Sequence, residues 1–157
     1  MLSIMIFSRP SSYAIRALAY LAMQPPGKLS GVREISDHVH IPGPYLSKIL
    51  LQLRRGRLLR SYKGIGGGYE LAQPPHNISL FNVIKCIEGN PFGYCILEDR
   101  ECALGHECSM HEGWGPVRNQ LLNFLQASTL AQLVEQGRVP VQPEAGTQAA
   151  EPGTLAD

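Results

Sequence analysis

Apolar side chains recur at intervals of three and four residues along much of the N-terminal half, which is the period of amphipathic helices. The pattern predicts a first helix over about residues 12–23, a second from Ser30 or Gly31 to about Val39, and a third over Pro44–Arg55. A tight turn rich in proline and glycine separates the last two. Two helices joined in this way predict a helix-turn-helix, whose second helix would enter the major groove of DNA.

A predicted β-hairpin follows the third helix. Residues 58–62 and 69–71 have the composition of short strands, and the glycine-rich segment 63–68 lies between them. A glycine run can also cradle the phosphates of a nucleotide. No Gly-Lys-Ser/Thr follows this run, and it leads into a strand instead of a helix, so the sequence favours the wing of a winged helix over a nucleotide site.

The C-terminal part is again helical. A helix capped by Asn77 or Ser79 is predicted to reach about Glu88, and a long helix with Pro116 in its first turn is predicted to reach about Gln126. The long helix carries an apolar seam formed by Trp114, Val117, Leu121 and Phe124, with Leu125 beside them. The seam could pack within its own domain. In so small a chain it favours a partner helix in a symmetric homodimer.

The predicted fold class is therefore mainly α with a small β-hairpin. We expect a winged helix-turn-helix DNA-binding domain over residues 1–76. Residues 77–136 would hold a cysteine-rich loop, the long dimerisation helix and a short closing helix over Thr129–Gln136. Residues 137–157 are rich in Pro, Gly, Ala, Gln and acids, which predicts a disordered tail.

Charge is divided unevenly along the chain. Residues 1–63 carry ten Lys or Arg against two acids, whereas residues 64–157 carry four bases against eleven acids. A basic half of this kind predicts a polyanionic partner, which we expect to be double-stranded DNA. Within the third helix, Ser47 and Lys48 are candidates for base contacts, and Arg54 and Arg55 are candidates for phosphate contacts. The further candidate DNA-binding residues are Pro44, Tyr45, Lys63, Gly64, Gly66 and Gly67.

A short segment gathers three of the four cysteines, at Cys95, Cys102 and Cys108, together with His106 and His111. The cysteines are separated by six and then five residues, which is too wide for the Cys-x-x-Cys hairpin of common zinc sites. Wide spacing suits a loop around a larger group, such as an iron–sulfur cluster. A surface loop with incidental thiols and a disulfide are the alternatives.

The fourth cysteine, Cys86, lies on the preceding predicted helix, where a packed or half-buried thiol is favoured over a ligand.

The remaining sequence features exclude some classes of protein. No run of 18 apolar residues and no secretory signal is present, so we expect a cytoplasmic protein without a membrane span. No paired carboxylates, Ser/His/Asp order or recognised phosphate loop points to an enzyme.

Several motifs occur in a characteristic order. They are Tyr13–Leu18, Ile41–Leu46, the glycine-rich Lys63–Tyr69 segment, three spaced cysteines and a long helix. In this order they resemble the IscR/NsrR family of winged-helix regulators over about residues 5–136. The resemblance implies a dimer that binds DNA. Many members bind an iron–sulfur cluster through the three loop cysteines and report on iron–sulfur status, nitric oxide or redox state.

The same resemblance assigns the metal ligands. It matches the family's thiolates to Cys95, Cys102 and Cys108, although the first interval is six residues here and five in the family. Some members use a histidine three residues after the third cysteine, where His111 stands, with His106 as the second choice. Others use an acid from the partner's first helix, where Ser12 stands here, which is a poor iron ligand. Ser47 replaces a residue that is acidic in some relatives, so the operator sequence would differ.

The expected function is a DNA-binding transcriptional regulator, such as a repressor, whose operator binding is controlled by a 2Fe-2S type iron–sulfur cluster. The alternative is a cluster-free regulator that senses thiol oxidation directly, with Cys102 and Cys108 as the oxidisable pair.

Overall fold

The computed structural model describes residues 7–90, 92–93 and 110–137. Within these ranges the elements are helices α1 (Arg9–Ala22), α2 (Val32–Val39) and α3 (Gly43–Arg55), strands β1 (Leu59–Tyr62) and β2 (Gly68–Leu71), a short 3₁₀ helix (Pro75–Asn77), and helices α4 (Leu80–Glu88), α5 (His111–Ala127) and α6 (Leu130–Glu135). This order confirms the fold class predicted from the sequence. Except for Gly137, the predicted tail lies outside the described residues.

Helix α1 lies at the centre of the hydrophobic core. Ala14, Ala17 and Leu18 are completely buried, and helices α2, α3, α4 and α6 all pack against α1. Two small side chains at the contact let the neighbouring helices approach closely. The same core cluster includes Ile78 and Leu130, so residues on both sides of position 76 contribute to it.

Helix α1 begins earlier than the sequence predicts. Ser8 is its N-cap, with the Ser8 Oγ accepting a hydrogen bond from the Ser11 amide at 3.3 Å, whereas Ser11 and Ser12 lie inside the helix. The reason is that Pro10 is tolerated in the first turn, where an amide hydrogen would have no partner within the helix.

Helices α2 and α3 confirm the predicted helix-turn-helix. His40 ends α2 in the left-handed conformation, with φ of 52°, and turns the chain towards α3. Ile41 is buried in that turn, and the Ser36 Oγ donates a hydrogen bond to its carbonyl oxygen at 2.6 Å. The turn is therefore fixed by a buried side chain and by a hydrogen bond from α2.

The wing is an antiparallel hairpin in which Leu59 pairs with Leu71 and Tyr62 pairs with Gly68. Ser30 extends the pairing, because it exchanges two backbone hydrogen bonds with Tyr69 at 3.0 and 2.9 Å. Gly68 permits this approach, since a Cβ atom at that position would lie 2.7 Å from the Ser30 carbonyl oxygen.

The C-terminal helices are joined where they begin and end. The Leu80 amide donates to the Ser128 carbonyl at 2.9 Å, and the Leu130 amide donates to the Ile78 carbonyl at 3.0 Å. Thr129 caps α6 with a reciprocal bond to Gln132, close to the predicted start. These bonds hold the start of α4 beside the turn that separates α5 from α6.

Helix α5 corrects the prediction for its start. The helix begins at His111, and Pro116 lies inside it instead of in the first turn. The Trp114 amide already donates to the Met110 carbonyl at 2.7 Å, so a helical turn forms before the proline. Pro116 has the φ that a helix requires but cannot donate to the carbonyl oxygen four residues earlier, so one backbone hydrogen bond is missing near the N-terminus of α5. None of the helices in the described ranges is long and apolar enough to cross a membrane.

Candidate DNA-binding surface and cysteine loop

The outer face of α3 presents the side chains that the sequence predicts for DNA contact. Pro44, Lys48, Arg54 and Arg55 are exposed. Ser47 is half-buried, and its Oγ donates a hydrogen bond to the Gly43 carbonyl oxygen at 2.9 Å, one turn back along the helix. The Ser47 hydroxyl oxygen therefore keeps acceptor capacity, whereas its hydrogen is already used within α3.

Tyr45 is exposed over 38% of its surface and is held from behind by α1. Its ring stands edge-on to that of Tyr13, with the ring centroids 5.6 Å apart. The Tyr13 ring in turn lies 5.7 Å from the guanidinium carbon of Arg16. This stack holds the first turn of α3 against α1 and leaves part of Tyr45 exposed.

Arg16 is a buried residue whose role the sequence pattern does not predict. It is 2% exposed, its Nη2 donates to the Val39 carbonyl at the end of α2, and burial lowers its pKa. Among the described residues, its Nε and Nη1 have no hydrogen-bond partner. The available signal was an arginine placed between Ala14 and Ala17 on the apolar part of α1. Arg16 links the core helix to the turn that orients α3.

The wing lies beside the C-terminal end of α3, because the Arg54 Nη1 is 3.3 Å from the Ser61 Oγ on β1. Lys63, Gly64 and Gly66 are exposed at the hairpin tip. Gly64 and Gly66 have φ of +96° and +77°, which other residues adopt only with strain. The tip therefore requires glycine at these two positions.

The helix-turn-helix and the wing together form a strongly basic surface. Residues 38–69 include six Lys or Arg and no acid, and all six side chains are exposed. Acids lie at both ends of this range. Asp37 on α2 is exposed and lies 4.0 Å from the Arg33 Nε. Glu34 lies 2.7 Å from the Lys28 Nζ, and Glu70 accepts a hydrogen bond from the Tyr62 hydroxyl at 2.8 Å. The excess of exposed bases over residues 38–69 matches the phosphate backbone of DNA.

A second contact that the sequence pattern does not predict joins α1 to Glu88, the last residue of α4. The Glu88 carboxylate accepts hydrogen bonds from the Ser8 amide at 3.0 Å, from the Ser8 Oγ at 2.6 Å and from the Ser11 Oγ. Burial would raise the pKa of Glu88, but these hydrogen bonds outweigh it and lower the pKa. A carboxylate at the N-terminus of α1 also complements the helix dipole. The cysteine-rich segment leaves α4 directly after this anchor.

Cys86 packs against the C-terminal end of α3 as a half-buried thiol. A Cβ atom at Gly56 would overlap the Cys86 Sγ, which lies 3.5 Å from the Gln52 carbonyl oxygen. Burial raises the pKa of this thiol. The prediction of a packed, half-buried cysteine is confirmed.

The predicted ligands Cys95, Cys102 and Cys108, and the second-choice His106, lie outside the described residues. His111 is the first residue of α5. In the part of the chain that the structure describes, no group of three or more His, Cys, Asp or Glu side chains could hold a metal ion. Because α4 packs against α5, the two ends of the cysteine-rich segment leave from a fixed pair of helices.

The predicted seam on α5 divides into exposed and buried positions. Val117 and Phe124 are 53% and 61% exposed, and Trp114 and Leu121 are half-buried. Leu125 is completely buried, so it belongs to the interior of the chain. The exposed pair leaves apolar surface on the long helix.

Comparison with known proteins agrees with this architecture. Residues 7–136 match the family model described as Rrf2, iron-dependent transcriptional regulator. A protein of Synechocystis sp., slr0846, whose name places it among the HTH-type transcriptional regulators, is 34% identical over 128 residues, covering 82% of this chain and 86% of that protein. The HTH-type transcriptional regulator NsrR of Shouchella clausii is 33% identical over 118 residues, covering 74% of this chain and 77% of NsrR.

Solved structures show the same fold. CymR, the global cysteine regulator of B. subtilis, superposes with a TM-score of 0.71 at 25% identity, covering 87% of this chain and 98% of CymR. IscR of T. potens superposes with a TM-score of 0.70 at 21% identity, covering 93% and 95% of the two chains. The relatives are regulators and not enzymes. The chain therefore belongs to the Rrf2 family of transcriptional regulators, which includes proteins resembling IscR and NsrR.

Proposed function

We propose that this chain is a cytoplasmic, homodimeric regulator that binds operator DNA through α3 and the wing under the control of an iron–sulfur cluster. The observation that carries the DNA-binding part is the exposed surface over residues 38–69, with six bases and no acid, on a helix-turn-helix. On this proposal residues 1–76 contact DNA, residues 77–136 hold the cluster and the dimer interface, and residues 137–157 form a disordered tail.

Helix α3 supplies the contacts that read sequence. Its first turns expose Tyr45 and Lys48, and Ser47 retains an acceptor oxygen between them. Hydrogen bonds from such side chains to base edges in the major groove distinguish the base pairs. Arg54 and Arg55 lie at the far end of the same helix, where they would contact phosphates and hold α3 in register.

The exposed apolar surface on α5 supports a homodimer. Val117 and Phe124 lie seven residues apart, about two turns, so their side chains fall on the same face of the helix. Burying them against a second copy removes apolar surface from water, at about 25 cal/mol per Å². A two-fold axis would place two α3 helices in successive major grooves roughly 34 Å apart.

The donor set of the cysteine-rich segment fits an iron–sulfur cluster. Three thiols and one imidazole, from Cys95, Cys102, Cys108 and His111, are soft and borderline ligands of the kind that hold a 2Fe-2S cluster. When bound, such a cluster supplies chemistry that responds to oxidants and to nitric oxide. The segment joins α4 to α5, so the ligands belong to a connection between the DNA-binding core and the exposed seam.

Two contacts connect this segment to the DNA-binding surface. Glu88, at the end of α4, holds the N-terminus of α1, which packs against α2 and α3. Cys86, two residues earlier on α4, packs against Gly56 at the end of α3. A change in the order of the segment would shift α4 and hence α3, which is a two-state element that a ligand can bias. A coupling of about 1–3 kcal/mol would change operator affinity between fivefold and 150-fold.

The test is anaerobic reconstitution with iron and sulfide, followed by iron and acid-labile sulfide analysis and visible absorbance. Substituting Cys95, Cys102 or Cys108 by Ser should remove the cluster, because a serine oxygen is a harder ligand. Cys86→Ser is the matched control and should retain it. His111→Ala should assemble a cluster that is lost more easily. Full retention in any loop variant, or complete loss in Cys86→Ser, would contradict the assignment.

The second candidate is a cluster-free regulator that senses thiol oxidation through Cys102 and Cys108. The similarity to CymR, the global cysteine regulator of B. subtilis, favours this candidate. Here the wild-type protein would bind no iron after reconstitution, and oxidant would change operator affinity reversibly. Loss of that response in Cys102→Ser would support direct thiol sensing.

A further inference from the structure

The tip of the wing carries an apolar side chain, Ile65, that has no role in the proposed function described above. Ile65 lies at the tip of the hairpin and is fully exposed, more so than any other large apolar side chain of the described residues. A single exposed apolar residue is ordinary on a protein surface. The backbone and the charges around Ile65 distinguish it from such a residue.

The backbone holds Ile65 in a tight, fixed turn. Gly64 and Gly66 flank it with positive φ, and the Gly67 amide donates to the Gly64 carbonyl at 3.1 Å. A Cβ atom at Gly67 would lie 3.0 Å from that same carbonyl oxygen, so the turn is closely packed. The turn therefore points the Ile65 side chain away from the protein instead of towards the core.

The residues around the tip favour an anionic partner. Lys63 and Arg60 are exposed on the hairpin, and Arg54 at the end of α3 lies 3.3 Å from Ser61. Acidic residues are absent from positions 38–69. An apolar side chain at the tip of a hairpin that carries exposed bases, beside a recognition helix, suits DNA better than a protein surface. The phosphates would meet the bases, and the groove between them would receive the isoleucine.

We propose that Ile65 enters the minor groove beside the major groove occupied by α3, where it packs against the deoxyribose walls and base edges. This inference rests on the proposed DNA binding. Apolar side chains of architectural proteins enter the minor groove in this way and bend the duplex. A G·C pair adds an amino group to the floor of this groove, whereas an A·T pair does not. Ile65 would therefore select A·T pairs on the flanks of the operator.

The probe for the experiment is a duplex that the wild-type protein selects from a random library. Its affinity is measured over a range of salt concentrations for the wild type, Ile65→Ser, Lys63→Ala and Met23→Ser. Met23 is 41% exposed at the end of α1, so its substitution is a matched control that removes exposed apolar surface away from the wing. Thermal unfolding of each variant checks that the fold is unchanged.

Burial of an isoleucine predicts a loss of roughly tenfold or more for Ile65→Ser. Because an apolar contact releases no counterion, the loss should be equal at all salt concentrations. Lys63→Ala should instead reduce the slope of log affinity against log salt by about one. A change of the flanking pairs from A·T to G·C should weaken the wild type and leave Ile65→Ser unaffected. Met23→Ser should bind as the wild type does.

Three results would overturn the assignment. Equal affinities of Ile65→Ser and the wild type on both flanks would show that the side chain does not contact DNA. A changed oligomeric state of free Ile65→Ser in sedimentation would assign the tip to a protein contact. If the wild type selects no duplex at all, the proposed DNA binding fails and this inference fails with it. In the first two outcomes the wild type still binds DNA, so they contradict only the role of Ile65.

Discussion

The contact of Gly56 with Cys86 makes a sharp prediction about the joint of α3 and α4. Gly56 has φ of −75° and ψ of 4°, a conformation open to any residue, so glycine is not required there by the backbone. What excludes a side chain is the Cys86 Sγ, which a Cβ atom at position 56 would overlap. We therefore expect Gly56→Ala to be harmful only while the thiol of residue 86 is present.

The magnitude follows from two opposing effects. Replacing a glycine by alanine in a compatible conformation stabilises a protein by about 0.4–1 kcal/mol, through the lower entropy of the unfolded chain. Overpacking a close contact costs about 1–3 kcal/mol. Rotation of Cys86 relieves little, because few side-chain rotamers are open on a helix. Gly56→Ala should therefore lower the free energy of unfolding by about 1–2 kcal/mol.

The Cys86→Ala background reverses the expectation. Without the Sγ, the closest atom of residue 86 to the new methyl group is its Cβ, at 3.4 Å, which is an ordinary van der Waals distance. In that background Gly56→Ala should be neutral or should stabilise by up to about 1 kcal/mol. The coupling energy of the double-mutant cycle should then be about 2 kcal/mol.

The assay is urea unfolding of the four proteins, followed by far-ultraviolet circular dichroism. All samples are measured at one protein concentration, because association would make the stability depend on concentration. An equal effect of Gly56→Ala in both backgrounds would refute the reasoning. It would show that the thiol does not limit the space at the end of α3.

Three further expectations concern the anchor of α1, the seam and the recognition helix. The lowered pKa of Glu88 means that its stabilising effect is present above the ordinary value of 4.5 and is lost as the pH falls through the lowered value, so Glu88→Gln should be less stable at neutral pH and should flatten the acid limb of stability against pH. Phe124→Glu should sediment as a folded monomer, because the side chain is exposed in the single chain, whereas Asn123→Glu on the same helix should leave the dimer intact. In operator binding, Lys48→Ala should change the preferred sequence and Arg54→Ala should weaken all sequences alike, and a uniform loss from both would contradict the division into base and phosphate contacts.

The local pattern of residues was enough to predict the elements. Periods of three and four, with a proline–glycine turn, predicted α2 and α3 within one or two residues, and the glycine-rich segment predicted the wing. These features depend on neighbours along the chain, so a single sequence shows them. Helix α1 begins earlier than predicted because Ser8 caps it instead of Ser11 or Ser12, and α5 begins earlier because Pro116 lies inside the helix and not in its first turn.

Tertiary structure alone decided which distant residues meet. Glu88 contacts Ser8 across 80 positions, and the thiol of Cys86 meets the end of α3 across more than 30. Arg16 is buried, and its guanidinium donates to the Val39 carbonyl oxygen at the end of α2, a partner that its position in α1 does not reveal. Such contacts arise because helices distant in the sequence pack against each other, and the periodicity within each helix does not specify which helices do so. The sequence therefore determined the parts of the DNA-binding surface, whereas the fold decided how that surface is braced and connected to the cysteine-rich segment.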